Sequence, residues 1–202
     1  MSTFNFPPSI KSRPVYGTLS PAKGKNHFMI ADAEGAEALL DLAKQDADLF
    51  ANAHIIYIPA GTGETYVTQL QALNPAQMYV GPSYAASVSR IRRVLSDAHM
   101  GLQVYLSGTE GLMGQAENEA LQAGIPQGAI QTEHRGSVAR RMQCVHCKGI
   151  TEDVITDPFV CSHCGLNLFV RDHYSRRLAA FQGVCIDAED PGNVPKPVEL
   201  YK

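Results

Sequence analysis

From His27 onward, short apolar runs alternate with stretches in which apolar residues recur every three or four positions. The runs are His27-Phe28-Met29-Ile30-Ala31, His54-Ile55-Ile56-Tyr57-Ile58, Gln77-Met78-Tyr79-Val80, Gln103-Val104-Tyr105-Leu106 and Ala129-Ile130-Gln131-Thr132. Runs this short, apolar on successive residues, describe strands buried on both faces. Between them, 35–50 sets Leu39, Leu42 and Ala43 on one helical face, and 64–73 does the same with Val67, Leu70 and Leu73. A third helix, opening at Ser83 and running to Asp97, aligns Val88, Ile91 and Leu95. A fourth, about 110–123, stops at Gly124-Ile125-Pro126, a C-cap followed by a breaker. Thr62 and Ser83 stand where they can cap the second and third helices.

Five strands alternating with four helices predict an α/β fold, a doubly wound five-stranded parallel sheet. The ligand crevice of such a sheet lies at the carboxyl ends of its strands, which here means the loops 31–36, 59–64, 81–84 and 107–111. Ala60-Gly61-Thr62-Gly63 and Ser107-Gly108-Thr109-Glu110-Gly111 follow strands and open helices, the geometry that cradles a phosphate on backbone N–H groups. Neither is GxGxxG or a P-loop, and Glu64 sets a negative charge where a phosphate would lie. A tight strand-to-helix turn explains their glycines as well.

Beyond the sheet, Cys144-Val145-His146-Cys147 and Cys161-Ser162-His163-Cys164 carry two CxxC pairs separated by residues 148–160. Each pair folds as a knuckle with both sulfurs on one side, and two facing knuckles make a closed S4 site suited to Zn2+. Cys144, Cys147, Cys161 and Cys164 are therefore the expected metal ligands. Four protein ligands leave no open position, so the metal is structural and no catalytic residue is assigned. Iron in a rubredoxin-like site is the chemical alternative. His146 and His163 read as solvent-facing spacers, Gly165 as the residue that turns with positive φ after the second knuckle, and Cys185 as a small apolar residue of a buried strand. The resulting organisation is an extended N-terminal arm over 1–26, a sheet domain over 27–137, a zinc ribbon over 138–178 and a C-terminal tail over 179–202.

Composition narrows the setting. The 202 residues, 45% hydrophobic and 18% charged, describe an ordinary globular chain. No apolar run approaches the roughly 20 residues that cross a bilayer, and Met1 to Pro8 has no secretory pattern. A cytoplasmic protein with reduced thiols and no membrane partner is expected. The net charge of −3 is uneven: residues 135–178 hold 7 basic and 4 acidic residues, whereas residues 1–134 hold 8 and 12. A net +3 spread over the ribbon is a thin footprint for nucleic acid, which is not the expected partner. An acidic protein face fits it as well, and Arg171, His173, Arg176 and Arg177 are the residues that would meet such a face. The competing local reading pairs Arg171 with Asp172.

Residues 27–136 resemble the NAD(P)-binding half of ferredoxin reductase-type flavoproteins. The resemblance is carried by Val104-Tyr105-Leu106-Ser107-Gly108-Thr109-Glu110-Gly111-Leu112-Met113, Gln122-Ala123-Gly124-Ile125-Pro126 and Ile130-Gln131-Thr132-Glu133. Ser107 and Thr109 replace the family's Cys and Pro. Of the glycine-rich loop after the first strand only Gly35 is left, beside Asp32 and Glu34, whose charges oppose a pyrophosphate. NADPH is thus not expected to bind this chain. The run Cys144–Gly165, then Leu168-Phe169-Val170-Arg171-Asp172-His173-Tyr174-Ser175-Arg176-Arg177-Leu178, Gly183-Val184 and Asp187-Ala188-Glu189-Asp190-Pro191-Gly192, resembles the DmmA family, the zinc-ribbon subunit of bacterial dimethylamine monooxygenase. That resemblance implies a complex converting dimethylamine, NADPH and O2 to methylamine and formaldehyde. It also implies partner subunits: a haem-containing monooxygenase subunit, and a reductase subunit carrying flavin and [2Fe-2S]. This chain would serve assembly or electron-transfer docking. Two alternatives stay open: a component that presents a nucleotide to a partner's flavin, and a zinc-ribbon nucleic-acid module.

Overall fold

The computed structural model describes residues 13–202, and the part of the expected arm over 1–12 lies outside them. The chain divides into two compact units. One comprises residues 16–139 with Lys202, and the other residues 140–201 with the described residues 13–15.

The first unit is a sheet of five parallel strands: β1 (Asn26–Asp32), β2 (Ala53–Ile58), β3 (Gln77–Val80), β4 (Leu102–Gly108) and β5 (Ile130–His134). Their order across the sheet is β3-β2-β1-β4-β5, which bears out the doubly wound expectation. Connecting them are α1 (Gly35–Gln45), α2 (Thr65–Ala72), α3 (Tyr84–Ser96) and α4 (Glu110–Gln122). Alternation along the strands splits the core in two. Met29, Ala31, Ile55 and Tyr57 pack with Leu39 and Leu42 of α1 on one face. Phe28, Ile30, Ile56 and Val104 pack with Ile91 of α3 and Met113 of α4 on the other. Truncating any of these buried Leu, Ile or Met side chains to Ala costs about 2–5 kcal/mol.

Local signals explain some helix ends. Ser83 caps α3, its hydroxyl accepting from the Ala86 N–H, and Gly124 follows α4 with φ +86°. Two expectations shift. The first helix ends at Gln45, and a 3-10 turn over Asp48–Asn52 takes up the rest of the apolar stretch, burying Leu49 and Phe50. Thr62 does not cap α2, because it closes a turn three residues earlier, where its hydroxyl donates to the Pro59 carbonyl at 2.7 Å. The described segment before β1 has no helix or strand of its own, and it is fastened to the sheet. Gly17 donates to Thr132, Leu19 is buried and donates to the Glu133 carboxylate at 2.7 Å, and Ala22 donates to the Tyr105 hydroxyl.

The second unit is a mixed five-stranded sheet in the order β7-β6-β11-β10-β9. Its strands are β6 (Arg140–Cys144), β7 (Ile150–Val154), β9 (Phe159–Val160), β10 (Asn167–Ser175) and β11 (Ala180–Cys185), while β8 (Thr156–Asp157) pairs with β12 (Val198–Glu199). The stretch read from sequence as a tail from 179 onward therefore supplies β11, the middle strand, which runs parallel to β6 and antiparallel to β10.

Candidate metal centre

The two CxxC pairs leave the second sheet at equivalent corners. Cys144 is the last residue of β6, and Cys161 directly follows β9. Each pair then makes the same turn: Lys148 N–H donates to the Cys144 carbonyl at 2.9 Å, and Gly165 N–H to the Cys161 carbonyl at 3.0 Å. The residue after each second Cys has positive φ, +64° at Lys148 and +73° at Gly165. Glycine at 165 announces that turn in sequence, whereas a lysine at 148 conceals it. Lys148 compensates with its own side chain, Nζ donating to the Val145 carbonyl at 2.6 Å.

The turns bring Cys144, Cys147, Cys161 and Cys164 together, with all four sulfurs within 4.8 Å of one another. Across the knuckles, Cys144 faces Cys164 at 3.9 Å and Cys147 faces Cys161 at 3.7 Å. A tetrahedron with metal–sulfur bonds of about 2.3 Å has sulfur–sulfur edges of about 3.8 Å, so the donor set fits zinc. The thiols are free, as a metal site requires. Burial pushes the Cys161 thiol up, but the N–H groups of Cys164 and His163 and the neighbouring thiols outweigh it and bring it down to about 6. At Cys164 the Leu166 N–H favours the thiolate, yet burial and the crowding thiols of Cys161, Cys147 and Cys144 push it up to about 12. Four sulfurs this close cannot all ionise without a cation among them. His146 and His163 are exposed, as expected, and His163 Nε2 lies 2.7 Å from the Ile150 carbonyl. Cys185 is half-buried and donates to Asp187 at 3.3 Å.

The crevice of the first sheet is built differently from a nucleotide site. The strand order reverses between β1 and β4, so a ligand of such a sheet lies at their carboxyl ends. There Asp32, 8% exposed, turns its carboxylate onto the first turn of α4. It accepts from the Thr109 N–H at 2.7 Å and from the Thr109 hydroxyl at 2.6 Å. Burial pushes the Asp32 carboxyl up, the Thr109 bonds oppose this, and the charge of Glu34 adds to it. Gly108, with φ +121°, lies so close to Asp32 that any side chain there would collide with the carboxylate. Gly35 serves packing: a Cβ on it would sit 2.4 Å from the Ser107 carbonyl oxygen, and the Ser107 hydroxyl donates to the Gly35 carbonyl. Gly61 and Gly63 both have positive φ and face open space. Sequence shows Asp32 as a charge hostile to phosphate, but not its bond to a residue far along the chain.

Among the cationic residues of the second unit, Arg171, His173, Arg176 and Arg177 are exposed. Asp172 is not the local partner of Arg171. Its carboxylate takes Arg13 at 2.6 Å and Arg140 at 2.8 Å, and both hold it below the usual carboxylate range against the opposing effect of burial. The Arg140 guanidinium lies between the rings of Phe181 and Tyr201, 4.2 Å from each centroid.

Fold and site together define a two-module chain, a doubly wound parallel sheet followed by a four-cysteine β module. Residues 8–130 match the model of the dimethylamine monooxygenase subunit DmmA-like N-terminal domain, and residues 141–184 that of the corresponding C-terminal domain. The chain belongs to the DmmA-like family. The "heme-dependent oxidative N-demethylase delta subunit" of Ectopseudomonas mendocina (strain ymp) is 34% identical over 110 residues, 54% of this chain and 63% of that protein. The match thus spans less than two thirds of that relative's length. Among solved structures, phthalate dioxygenase reductase overlaps 70% of this chain and 47% of its own at 13% identity and a TM-score of 0.43. The FAD/NAD-binding domain of nitric oxide dioxygenase from Vibrio cholerae O1 biovar El Tor overlaps 61% and 56% at 15% identity and a TM-score of 0.41. The fold assignment itself rests on the strand order. No helix among the described residues is long and apolar enough to cross a membrane.

Proposed function

We propose that this chain is a non-catalytic subunit of an N-demethylating, haem-dependent oxygenase complex acting on dimethylamine with NADPH and O2. Membership of the DmmA-like family and the identity with a delta subunit support the complex and its class of reaction. The observation that carries the non-catalytic reading is the Asp32 carboxylate on the first turn of α4. It fills, with the chain's own negative charge, the carboxyl-edge position an anionic cofactor group needs. Haem, flavin and [2Fe-2S] then reside on a haem-containing monooxygenase subunit and a reductase subunit. Cys144, Cys147, Cys161 and Cys164 hold one Zn2+, which supplies folding energy to the second unit rather than an open coordination position. The exposed Arg171, Arg176 and Arg177 suit carboxylates on a partner's surface.

Co-expression with the candidate partner subunits, affinity purification through this chain, metal analysis and an absorption spectrum test the reading together. The expected result is one zinc per copy, with haem and flavin absorption found only when the other subunits are present, and no saturable NADPH binding by the isolated chain. Saturable NADPH binding that is lost on changing Gly108 or Gly111 would replace it with the nucleotide-presenting reading.

A further inference from the structure

The amino edge of the first sheet, opposite the crevice, carries a cavity of about 470 Å3 beside the last turns of α3. Its size falls in the range of small-molecule sites, roughly 300–1,000 Å3. Arg90 and Arg93 line it from α3, three positions apart and therefore on one helical face. His54 enters from β2 and His27 from β1, with Asp97 and His99 from the segment after the helix.

The arginines of this unit divide sharply. Arg92 is clamped by Glu119 through two bonds of 2.7 Å, and Arg135 is held by Glu133 at 2.7 Å, by Asp41 at 3.1 Å and by Glu37 at 3.8 Å. Arg90 and Arg93, the two that line the cavity, have no ion pair among the described residues. Nor is Arg90 loose: its guanidinium lies over the Tyr79 ring at 4.4 Å, which fixes its plane and leaves its N–H edge available. His54 is half-buried and turned edge-on to Phe28, with ring centroids 5.7 Å apart. Burial holds its pKa down, and the charge of Arg90 holds it down further. Two guanidinium groups against the single carboxylate of Asp97 leave the cavity with excess positive charge.

We propose that this cavity binds a small organic oxyanion, a carboxylate or a phosphate ester, with Arg90 and Arg93 as its paired donors and His54 beside it. A two-pronged guanidinium matches either oxyanion geometrically. The site shares no residue with the cysteine cluster or the Asp32 clasp, and it stands whether or not the oxygenase reading does. An anion placed between Arg90 and His54 offsets the charge that disfavours the imidazolium, so the His54 pKa rises on binding.

The test follows the imidazole resonances of the full-length, metal-loaded chain by NMR. Inorganic phosphate and acetate are titrated separately at constant ionic strength, with chloride as the control. The expected result is a saturable shift of His54 with phosphate or acetate and an upward move of its pKa. Arg90→Gln and Arg93→Gln should each weaken binding about 10-fold or more, with the circular dichroism spectrum unchanged. Arg90→Lys keeps the charge but not the fork, and supplies a second, milder variant expected to weaken binding less than Arg90→Gln. A response that matches chloride, fails to saturate or survives in the Arg90→Gln/Arg93→Gln double variant overturns the proposal.

Discussion

Asp32→Ala is the sharpest probe of the carboxyl edge. It removes the acceptor of two short bonds, 2.7 Å from the Thr109 N–H and 2.6 Å from its hydroxyl, at a site 8% exposed. The hydroxyl can turn elsewhere, but the N–H at the start of α4 is fixed and loses its partner, at a cost of about 1–3 kcal/mol. Part of the loss is offset, because burial of the ionised carboxylate is itself unfavourable, as the raised pKa shows. A net destabilisation of about 2 kcal/mol is expected, a fall in melting temperature of roughly 4–8 °C for a chain of this size. Asp32→Asn keeps one acceptor for the Thr109 N–H and removes the charge, so it should cost under about 1 kcal/mol. Its pH signature differs too. The folded pKa of Asp32 lies above its ordinary value of 3.8, so between the two the folded state binds more protons. Stability then falls as pH rises through that window, and it does so less in Asp32→Asn. Urea unfolding at several pH values, followed by helical circular dichroism, reads both effects. Unchanged midpoints for Asp32→Ala, or an equal cost for Asn and Ala, would refute the clasp.

Three further outcomes follow from the same structure. Cys161→Ser, or exhaustive chelation, should release the metal and unfold the second unit while the helical signal of residues 16–139 persists, since a structural zinc site is worth roughly 10–16 kcal/mol; co-purification shows whether partner binding goes with it. Gly35→Ala should destabilise the first unit by about 1–3 kcal/mol, because the added Cβ would lie 2.4 Å from the Ser107 carbonyl oxygen; thermal unfolding measures it. Gly165→Ala meets no neighbour but keeps φ +73°, so its cost should stay at about 1–2 kcal/mol, read as a modest loss of zinc retention under chelator challenge.

The first sheet was legible because strands buried on both faces write themselves as unbroken apolar runs, and because Ser83 and Gly124 mark helix ends locally. The four cysteines were legible because their spacing is their chemistry. What escaped depended on distant partners. β11 has Gln182 and Gly183 in place of a continuous apolar run and is held by pairing with β6 and β10, so from sequence only Cys185 was assigned to a strand and the segment was placed in a tail. Asp172 looked like a mate for its neighbour until Arg13 and Arg140 came into reach. The pairing of Asp32 with Thr109 spans most of the first unit, and no local periodicity reports it.

The placement of β11 has a kinetic consequence. The two knuckles are separated by a loop of only 13 residues, so a metal ion gathers them at small entropic cost. Met142 of β6 meets Phe181 of β11 across about forty residues of chain, a far more non-local contact. A nascent second unit would therefore capture its ion and close the local β10–β11 hairpin first, and dock β11 on β6 later, leaving the β6 edge open in between. An unpaired strand edge invites association with other chains. Metal supply during synthesis would then set both whether this unit folds and how long its β6 edge stays exposed.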